Sequence, residues 1–281
     1  MLVNLKEILQ IADEKECAIG SFNTTTLEML MAVMQTAEKH NAPVIISHAQ
    51  VHESVMKLSI IGPIMVEAAK KSKVPVCVHL DHGETLDYLK KALDIGFTSI
   101  MYDGSTLGYE DNVSNTIKAV EMAAEYGASV EAEIGVMGAA EGSSEHGEAG
   151  NSGMYTDPET AKRFTEATGI DALAASFGTA HGIYKTKPKL DFDRIENIRK
   201  ITSIPLVMHG GSGVSPEDYK EAIKRGVRKI NYYSYMARAG VMGVRELLEN
   251  KQIDFFHDIA CAALEAMADD VEKAIRVFNK E

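Results

Sequence analysis

The chain has 281 residues, 45% of them hydrophobic and 25% charged, with a formal net charge of −12 at pH 7. That length and mix suffice to close one large core, and the acidic balance argues against nucleic acid or an anionic membrane as partner, since both need clustered Lys and Arg. Cys17, Cys77 and Cys261 are sparse, odd in number and form no CxxC pair, the pattern of reduced thiols in a cytoplasmic protein. No run approaches the ~18 apolar residues of a membrane span. The start, MLVNLKEILQIADEKE, is amphipathic and carries acids, unlike a signal peptide.

In chain order, β-rich runs are expected at 17–22, 43–47, 74–80, 98–102, 129–134, 171–176, 204–208 and 228–231. Segments of helical period lie between them. TLEMLMAVMQTAEKH (26–40) places apolar residues at 27, 30, 31, 34 and 37. TLDYLKKALDIG (85–96) and EDNVSNTIKAVEMAAEYG (110–127) each end on a glycine suited to a helix C-terminus. DPETAKRFTEATG (157–169) and SPEDYKEAIKRG (215–226) begin with a capping side chain followed by Pro. Each helix is expected to end in Gly before the next strand. Eight such β–α units predict a closed (β/α)8 TIM barrel, an α/β fold, as a single domain over 1–281 with an extra helical segment at about 253–279. The apolar stripe of that segment reads as packing, against the barrel or a partner.

One loop stands out. GVMGAAEGSSEHGEAGNSGMYT (135–156) has six glycines and no clear period, and it follows the fifth predicted strand. It reads either as a mobile lid or as a tolerated surface insertion, with the lid favoured.

Costly residues collect where barrel strands end. The third predicted strand ends in Asp81-His82, the sixth leads into SFGTAHG with His181, and the seventh into MHGGSG with His209. Strand ends of a barrel ring one mouth, so these three histidines are expected to converge, and three neutral imidazoles suit Zn²⁺ with a position left open. Of the nine histidines, His40, His52, His146 and His257 read as solvated. His79 reads as a packing residue or a support behind the ligands, and His48 as either a substrate contact or a surface residue. The loops after the seventh and eighth strands commonly bind phosphate, and the amides of Gly210, Gly211 and Ser212 are free to converge on an anion where no side chain intervenes. Lys185 would add a point charge.

These motifs, AIGSFN, HLDHG, MYDGS, VEAEIG, GTAHGIYK, MHGGSG and KIN in that order, resemble the class II, metal-dependent ketose-bisphosphate aldolases, which act on fructose or tagatose 1,6-bisphosphate. The resemblance spans nearly the whole chain. It implies a lyase of carbohydrate metabolism, glycolytic in type, that cleaves a phosphorylated sugar to dihydroxyacetone phosphate and an aldehyde. It implies that His82, His181 and His209 hold zinc, that Asp81 exchanges the C4 hydroxyl proton, and that Glu141 exchanges the C3 proton of the triose. Gly182, Lys185, Gly210, Ser212 and Ser234 match phosphate contacts, and Asn231 a contact near the ketone. Glu133 and Asp103 match acids that orient ligand imidazoles, while Ser47 and Asn23 line the mouth. A monovalent cation, Na⁺ or K⁺, near the phosphate loop and a homodimer or homotetramer are also implied.

Two stretches depart from the family pattern. NYYSY (231–235) puts Tyr232, Tyr233 and Tyr235 where small or acidic residues are usual, and SHAQVHES (47–54) brings in His48, Gln50 and His52. Fructose 1,6-bisphosphate is the lead substrate, ahead of tagatose 1,6-bisphosphate or another ketose 1-phosphate. A non-catalytic sugar-phosphate-binding barrel is the reading of another class, and Arg276 is the tail residue considered for a far phosphate.

Overall fold

The computed structural model of the chain describes residues 1–135 and 155–280. In order these form β1 (Leu2–Val3), α1 (Leu5–Glu14), β2 (Ile19–Asn23), α2 (Leu27–Lys39), β3 (Val44–Ala49), a 3-10 turn (Gln50–Ser54) and α3 (Leu58–Lys71). Next come β4 (Val76–Gly83), α4 (Leu86–Ile95), β5 (Ser99–Tyr102), α5 (Tyr109–Glu125), β6 (Ser129–Ile134), α6 (Pro158–Thr168) and β7 (Ala172–Ala175). The chain ends with α7 (Phe192–Thr202), β8 (Leu206–Met208), α8 (Pro216–Lys224), β9 (Val227–Tyr232), α9 (Ser234–Asn250) and α10 (Phe256–Phe278). From β2 to β9 each strand pairs in parallel with the next, and β9 returns to β2. The closed eight-stranded TIM barrel expected from the sequence is therefore the fold, each expected strand lying within a few residues of an observed one.

The first four residues were not expected to pair. Leu2 and Val3 add a short parallel strand against Val76 and Cys77 at the start of β4. Asn4 then caps α1 in a reciprocal box with Glu7, which turns the helix under the barrel. Its apolar face, Leu5, Ile8, Leu9 and Ala12, packs on Ile19, Ile45, Cys77, Ala172, Ala174 and Val207. The amphipathic start is thus the plug of the barrel floor.

Successive residues of a strand point to opposite faces. Phe22, Ile46, Val78, Leu80, Val130, Leu173 and Ile230 join the core between sheet and helices. The alternate positions fill the barrel in layers. The floor is apolar, the middle carries fully buried Glu131, Lys229 and His79, and the top carries Asn23, Asp81, His209 and Asn231. A charge so deep is tolerated only with a partner beside it.

Two expectations change at the helices. Asn41 and Ser203, at φ +49° and +59°, occupy the left-handed position after α2 and α7 that glycine was expected to fill. The last helices also exchange places. α9 buries only Met236 and Gly240, while α10 buries Met267, Val271, Ala274, Ile275 and Phe278. Ala18 at the start of β2 donates to the Phe278 carbonyl, so α10 completes the helical layer beside β2 and α9 lies outside it. The extra segment covers the barrel.

Candidate active site

Consecutive strand residues face opposite sides, so Asp81 and His82 should not share a mouth. A bulge resolves this. The β4–β5 register jumps between Leu80 and Gly83, and His82 sits at φ +43°. The left-handed residue re-aims its side chain and stores local strain, as bulges beside functional sites do. Both side chains then face the mouth.

His82 Nδ1 lies 2.7 Å from Asp103 Oδ2, and His209 Nε2 lies 2.9 Å from Glu131 Oε1. Ionised carboxylates only accept, so each of those ring nitrogens carries the proton. The remaining nitrogens, His82 Nε2 and His209 Nδ1, face each other at 2.9 Å. Two lone pairs at that distance repel unless a positive charge lies between them or beside both. His181 closes the group from the loop after β7, with ring centroids 5.1 Å from His82 and 5.8 Å from His209. The donor atoms of His82, His181 and His209 lie within 4.8 Å of one another, as do those of His82, Asp103 and Glu133. Glu133 Oε2 is buried with no hydrogen-bond partner and stands 3.8 Å from His209 Nδ1. Either group is able to hold a metal ion, and the facing imidazoles and the orphaned oxygen fit one.

The electrostatics make the same demand. Burial disfavours a charged His82, but Asp81, the Asp103 hydrogen bond and Glu133 outweigh it and lift its pKa to about 10. A proton thus occupies the place a cation would take. Burial, with His82 and His209 alongside, lowers His181 to about 3. Burial is the largest cause at Glu133, opposed by His82 and reinforced by Asp103, and pushes its carboxyl up to about 8.

Asp81 is held from two sides. Asn23 Nδ2 donates to Oδ2 and Asn231 Nδ2 to Oδ1, both at 3.0 Å. Ser47 donates to Asn23 Oδ1 at 2.7 Å and fixes that amide. Burial raises the Asp81 pKa, but His82, His209 and Lys229 overcome it and hold the carboxyl well below the usual range. The group is ionised at neutral pH.

A cavity between the strand ends is lined by Asn23, Asp81, His181, Gly210, Ser212 and Ser234, among others. Gly210 has φ +60°, and a Cβ there would lie 2.3 Å from the Ala180 carbonyl oxygen. A Cβ on Gly211 would meet Ile230 and the Asn231 carbonyl at 2.6 and 2.8 Å. Both positions admit only glycine. α9 begins at Ser234 with no side chain capping it, so its first amides open on this cavity. Gly182, at φ +101°, lies on the rim and Lys185 is exposed beyond it.

Of the expected site residues, the fold brings together Asn23, Ser47, Asp81, His82, Asp103, Glu133, His181, Gly182, His209 to Ser212, Asn231 and Ser234. Glu141, with His146 and nearly all of the glycine-rich loop, lies outside the described residues. The feet of that loop are joined, since Thr156 Oγ1 donates to the Ile134 carbonyl and accepts from Ser176 N–H. His52 is not solvated. It is 7% exposed and its ring centroid is 4.9 Å from that of Tyr233. His48 is fully buried, with Nε2 3.3 Å from the Tyr88 hydroxyl. Burial lowers it to about 4, so it is neutral. Arg276 stands beside Glu272, two residues before the Phe278 carbonyl that meets the start of β2, at the opposite end of the barrel from the mouth.

The tyrosines after Asn231 diverge. Tyr232 points out of the barrel and donates to Asp270 at 3.0 Å. Tyr233 turns to His52, and Tyr235 packs against Gly213. Glu131 and Lys229, which lie outside the expected site residues, form a buried pair beneath the mouth. Lys229 Nζ is 2.9 Å from Glu131 Oε2, without hydrogen-bond alignment, and 3.4 Å from His79 Nε2. His79 Nδ1 in turn meets Ser99 Oγ at 2.8 Å. A Lys and a Glu in strands buried on both faces were the available signal.

A parallel barrel whose strand ends gather imidazoles able to hold a metal ion, a clamped carboxylate and a glycine-lined cavity has the layout of a barrel enzyme with its site at the strand ends. Known proteins give the class a family. The family model described as "Fructose-bisphosphate aldolase class-II" matches residues 3–281. A fructose-bisphosphate aldolase of Staphylococcus aureus is 38% identical over 99% of this chain and 97% of its own. A probable fructose-bisphosphate aldolase of Bacillus subtilis is 38% identical over 90% and 89%. Among solved structures, the YdjI aldolase of Escherichia coli K12 superposes with a TM-score of 0.88 at 33% identity, covering 99% of this chain and 97% of that one. This chain belongs to the class II fructose-bisphosphate aldolase family, whose members are aldehyde-lyases. No described helix is long and apolar enough to cross a membrane.

Proposed function

We propose that the chain, as one domain over 1–281, is a zinc-dependent aldolase that reversibly cleaves a ketose 1,6-bisphosphate, with fructose 1,6-bisphosphate as lead substrate. The products are dihydroxyacetone phosphate and glyceraldehyde 3-phosphate. The observation that carries this reading is the pair of imidazole nitrogens facing at 2.9 Å beside a clamped carboxylate. His82, His181 and His209 would hold the metal, with Asp103 and Glu131 fixing the tautomers of the first and last. A bound divalent cation would polarise the ketone and stabilise the charge left on the ketose half as the carbon–carbon bond breaks.

Asp81 takes the C4 hydroxyl proton in cleavage and returns it in condensation. Asn23 and Asn231 keep its oxygens in place and need no rearrangement when the proton arrives. Gly182, Lys185, the amides of Gly210 to Ser212 and the start of α9 at Ser234 receive the phosphate next to the ketone. Asn231 contacts the substrate near that ketone. Glu141 exchanging the C3 proton, and Na⁺ or K⁺ near the phosphate loop, rest on the family resemblance alone.

The far end of the sugar carries a second reading. His52 and Tyr233 occupy the rim, and Arg276 is at the other end of the barrel. This favours testing tagatose 1,6-bisphosphate and a ketose 1-phosphate beside the lead. A cytoplasmic setting fits three unpaired cysteines. Exposed Val241, Met242, Leu248, Phe255 and Phe256 on and before the last two helices support a homodimer or homotetramer. The experiment is a coupled cleavage assay with His181→Ala and a chelator. Activity lost in both supports the zinc reading, and activity surviving chelation contradicts it.

A further inference from the structure

The cradle between β8 and α9 is useful to an anion only if its amides point inward. A trans peptide sets C=O and N–H in opposite directions, so fixing one carbonyl fixes the amide of the next residue. Gly210 shares a peptide unit with the amide of Gly211, and Gly211 with that of Ser212. Glycines are the residues least able to hold such planes by themselves, because no Cβ restricts them.

Two tyrosines supply the missing restraint. Tyr184, on the loop after β7, donates from its hydroxyl to the Gly210 carbonyl at 2.8 Å. The same hydroxyl accepts from Ala180 N–H at 2.8 Å. It therefore ties the residue before His181 to the residue after His209. Tyr219, on α8, donates to the Gly211 carbonyl. Tyr219 is 5% exposed, and its ring stands edge-on to Phe278 at 5.0 Å between centroids. Ser212 Oγ, the third anchor, accepts from Tyr233 N–H at 2.8 Å. Among the described residues, the amides of Gly211 and Ser212 find no protein acceptor.

We infer that Tyr184 and Tyr219 are positioning residues for phosphate recognition: by holding the Gly210 carbonyl from the loop after β7 and the Gly211 carbonyl from α8, they aim the amides of Gly211 and Ser212 into the mouth. Neither phenol touches the substrate in this account. Their effect is on how much of the loop's order exists before the anion binds, and pre-organisation of that kind appears as affinity. Both phenols stay protonated at neutral pH, since burial raises Tyr219 and lifts Tyr184 to about 12. The inference rests on the reading of this cavity as a phosphate site.

The test uses the full-length, zinc-loaded protein with Tyr184→Phe, Tyr219→Phe and the double variant. Inorganic phosphate is the calorimetric probe, and KM and kcat are measured with the cleaved ketose phosphate. Each single variant is expected to weaken phosphate binding roughly tenfold and to raise KM in step, with kcat within about threefold and zinc content unchanged. Melting temperatures without phosphate separate this from a merely weakened fold. Tyr219→Phe keeps its ring against Phe278 and remains informative if Tyr184→Phe does not fold. Variants that bind phosphate as tightly as the parent overturn the brace alone. A parent protein that binds no phosphate overturns the reading of the cavity, and the brace with it.

Discussion

Glu131→Gln tests whether the charge beneath the mouth supports the site above it. Glu131 and Lys229 are both 0% exposed, 2.9 Å apart, and Glu131 also accepts from His209 Nε2 at 2.9 Å. Glutamine keeps the shape and an acceptor for His209 but removes the counter-charge in contact with the buried Lys229 ammonium, leaving only the more distant Asp81 carboxylate. Breaking one half of a buried pair costs ~3–5 kcal/mol. His79 Nε2 still accepts from Lys229 at 3.4 Å, so the expected loss is near the lower bound, ~3 kcal/mol, a large part of a typical ~5–15 kcal/mol. Lys229→Met should cost a similar amount. The double variant replaces an ion pair by a neutral one of similar volume, so the two losses should fall short of additive by ~2 kcal/mol or more. Urea denaturation of the metal-free proteins measures all three. Zinc affinity, read by chelator competition, should fall about tenfold in Glu131→Gln, the low end for residues behind a ligand, because the amide still fixes the His209 tautomer. Strict additivity, or a single variant as stable as the parent, would refute the account of the barrel's middle layer.

Other outcomes follow from the same geometry. Asp81→Asn should lower cleavage by roughly 10²–10⁴-fold while zinc still binds stoichiometrically, as seen in rate and metal analysis. Burial raises the Glu131 carboxyl, but Lys229 and the His209 hydrogen bond overcome it and hold it down to about 2, against an ordinary 4.5. Its contribution to stability is therefore complete above 4.5 and lost as pH falls toward 2, and Glu131→Gln should flatten that part of the acid-unfolding curve. Native protein should react with one equivalent of a thiol reagent, at exposed Cys261. Cys17 and Cys77 are buried, and burial pushes Cys77 up to about 12. Gly210→Ala should destabilise by more than ~1 kcal/mol and abolish phosphate binding, since φ is +60° and the added carbon lies 2.3 Å from the Ala180 carbonyl oxygen.

The barrel was legible because strands buried on both faces read as short apolar runs and most of the helices between them, α2, α4, α6, α7 and α8, begin with a capping side chain. The mouth was legible because Asp81, His82, His181 and His209 all fall where those runs stop. What remained hidden depends on contacts between distant segments. Nothing local marks α1 as a floor plug, or α10 rather than α9 as the helix beside β2. Solvated and buried histidines look alike in sequence, so His52 was misread, and the ring of Tyr233 that covers it lies far along the chain. The bulge that aims both Asp81 and His82 exists only through the register with β5. Glu131 and Lys229 each look costly alone and become tolerable only as a pair.

The most direct test of the central claim is cleavage by purified protein loaded with zinc, assayed in parallel on fructose 1,6-bisphosphate, tagatose 1,6-bisphosphate and fructose 1-phosphate, with metal content measured on the same sample. About one catalytic zinc per chain and chelator-sensitive cleavage are expected, with fructose 1,6-bisphosphate preferred. Stoichiometric zinc with no cleavage of any of the three would contradict the claim and leave a sugar-phosphate-binding barrel in its place.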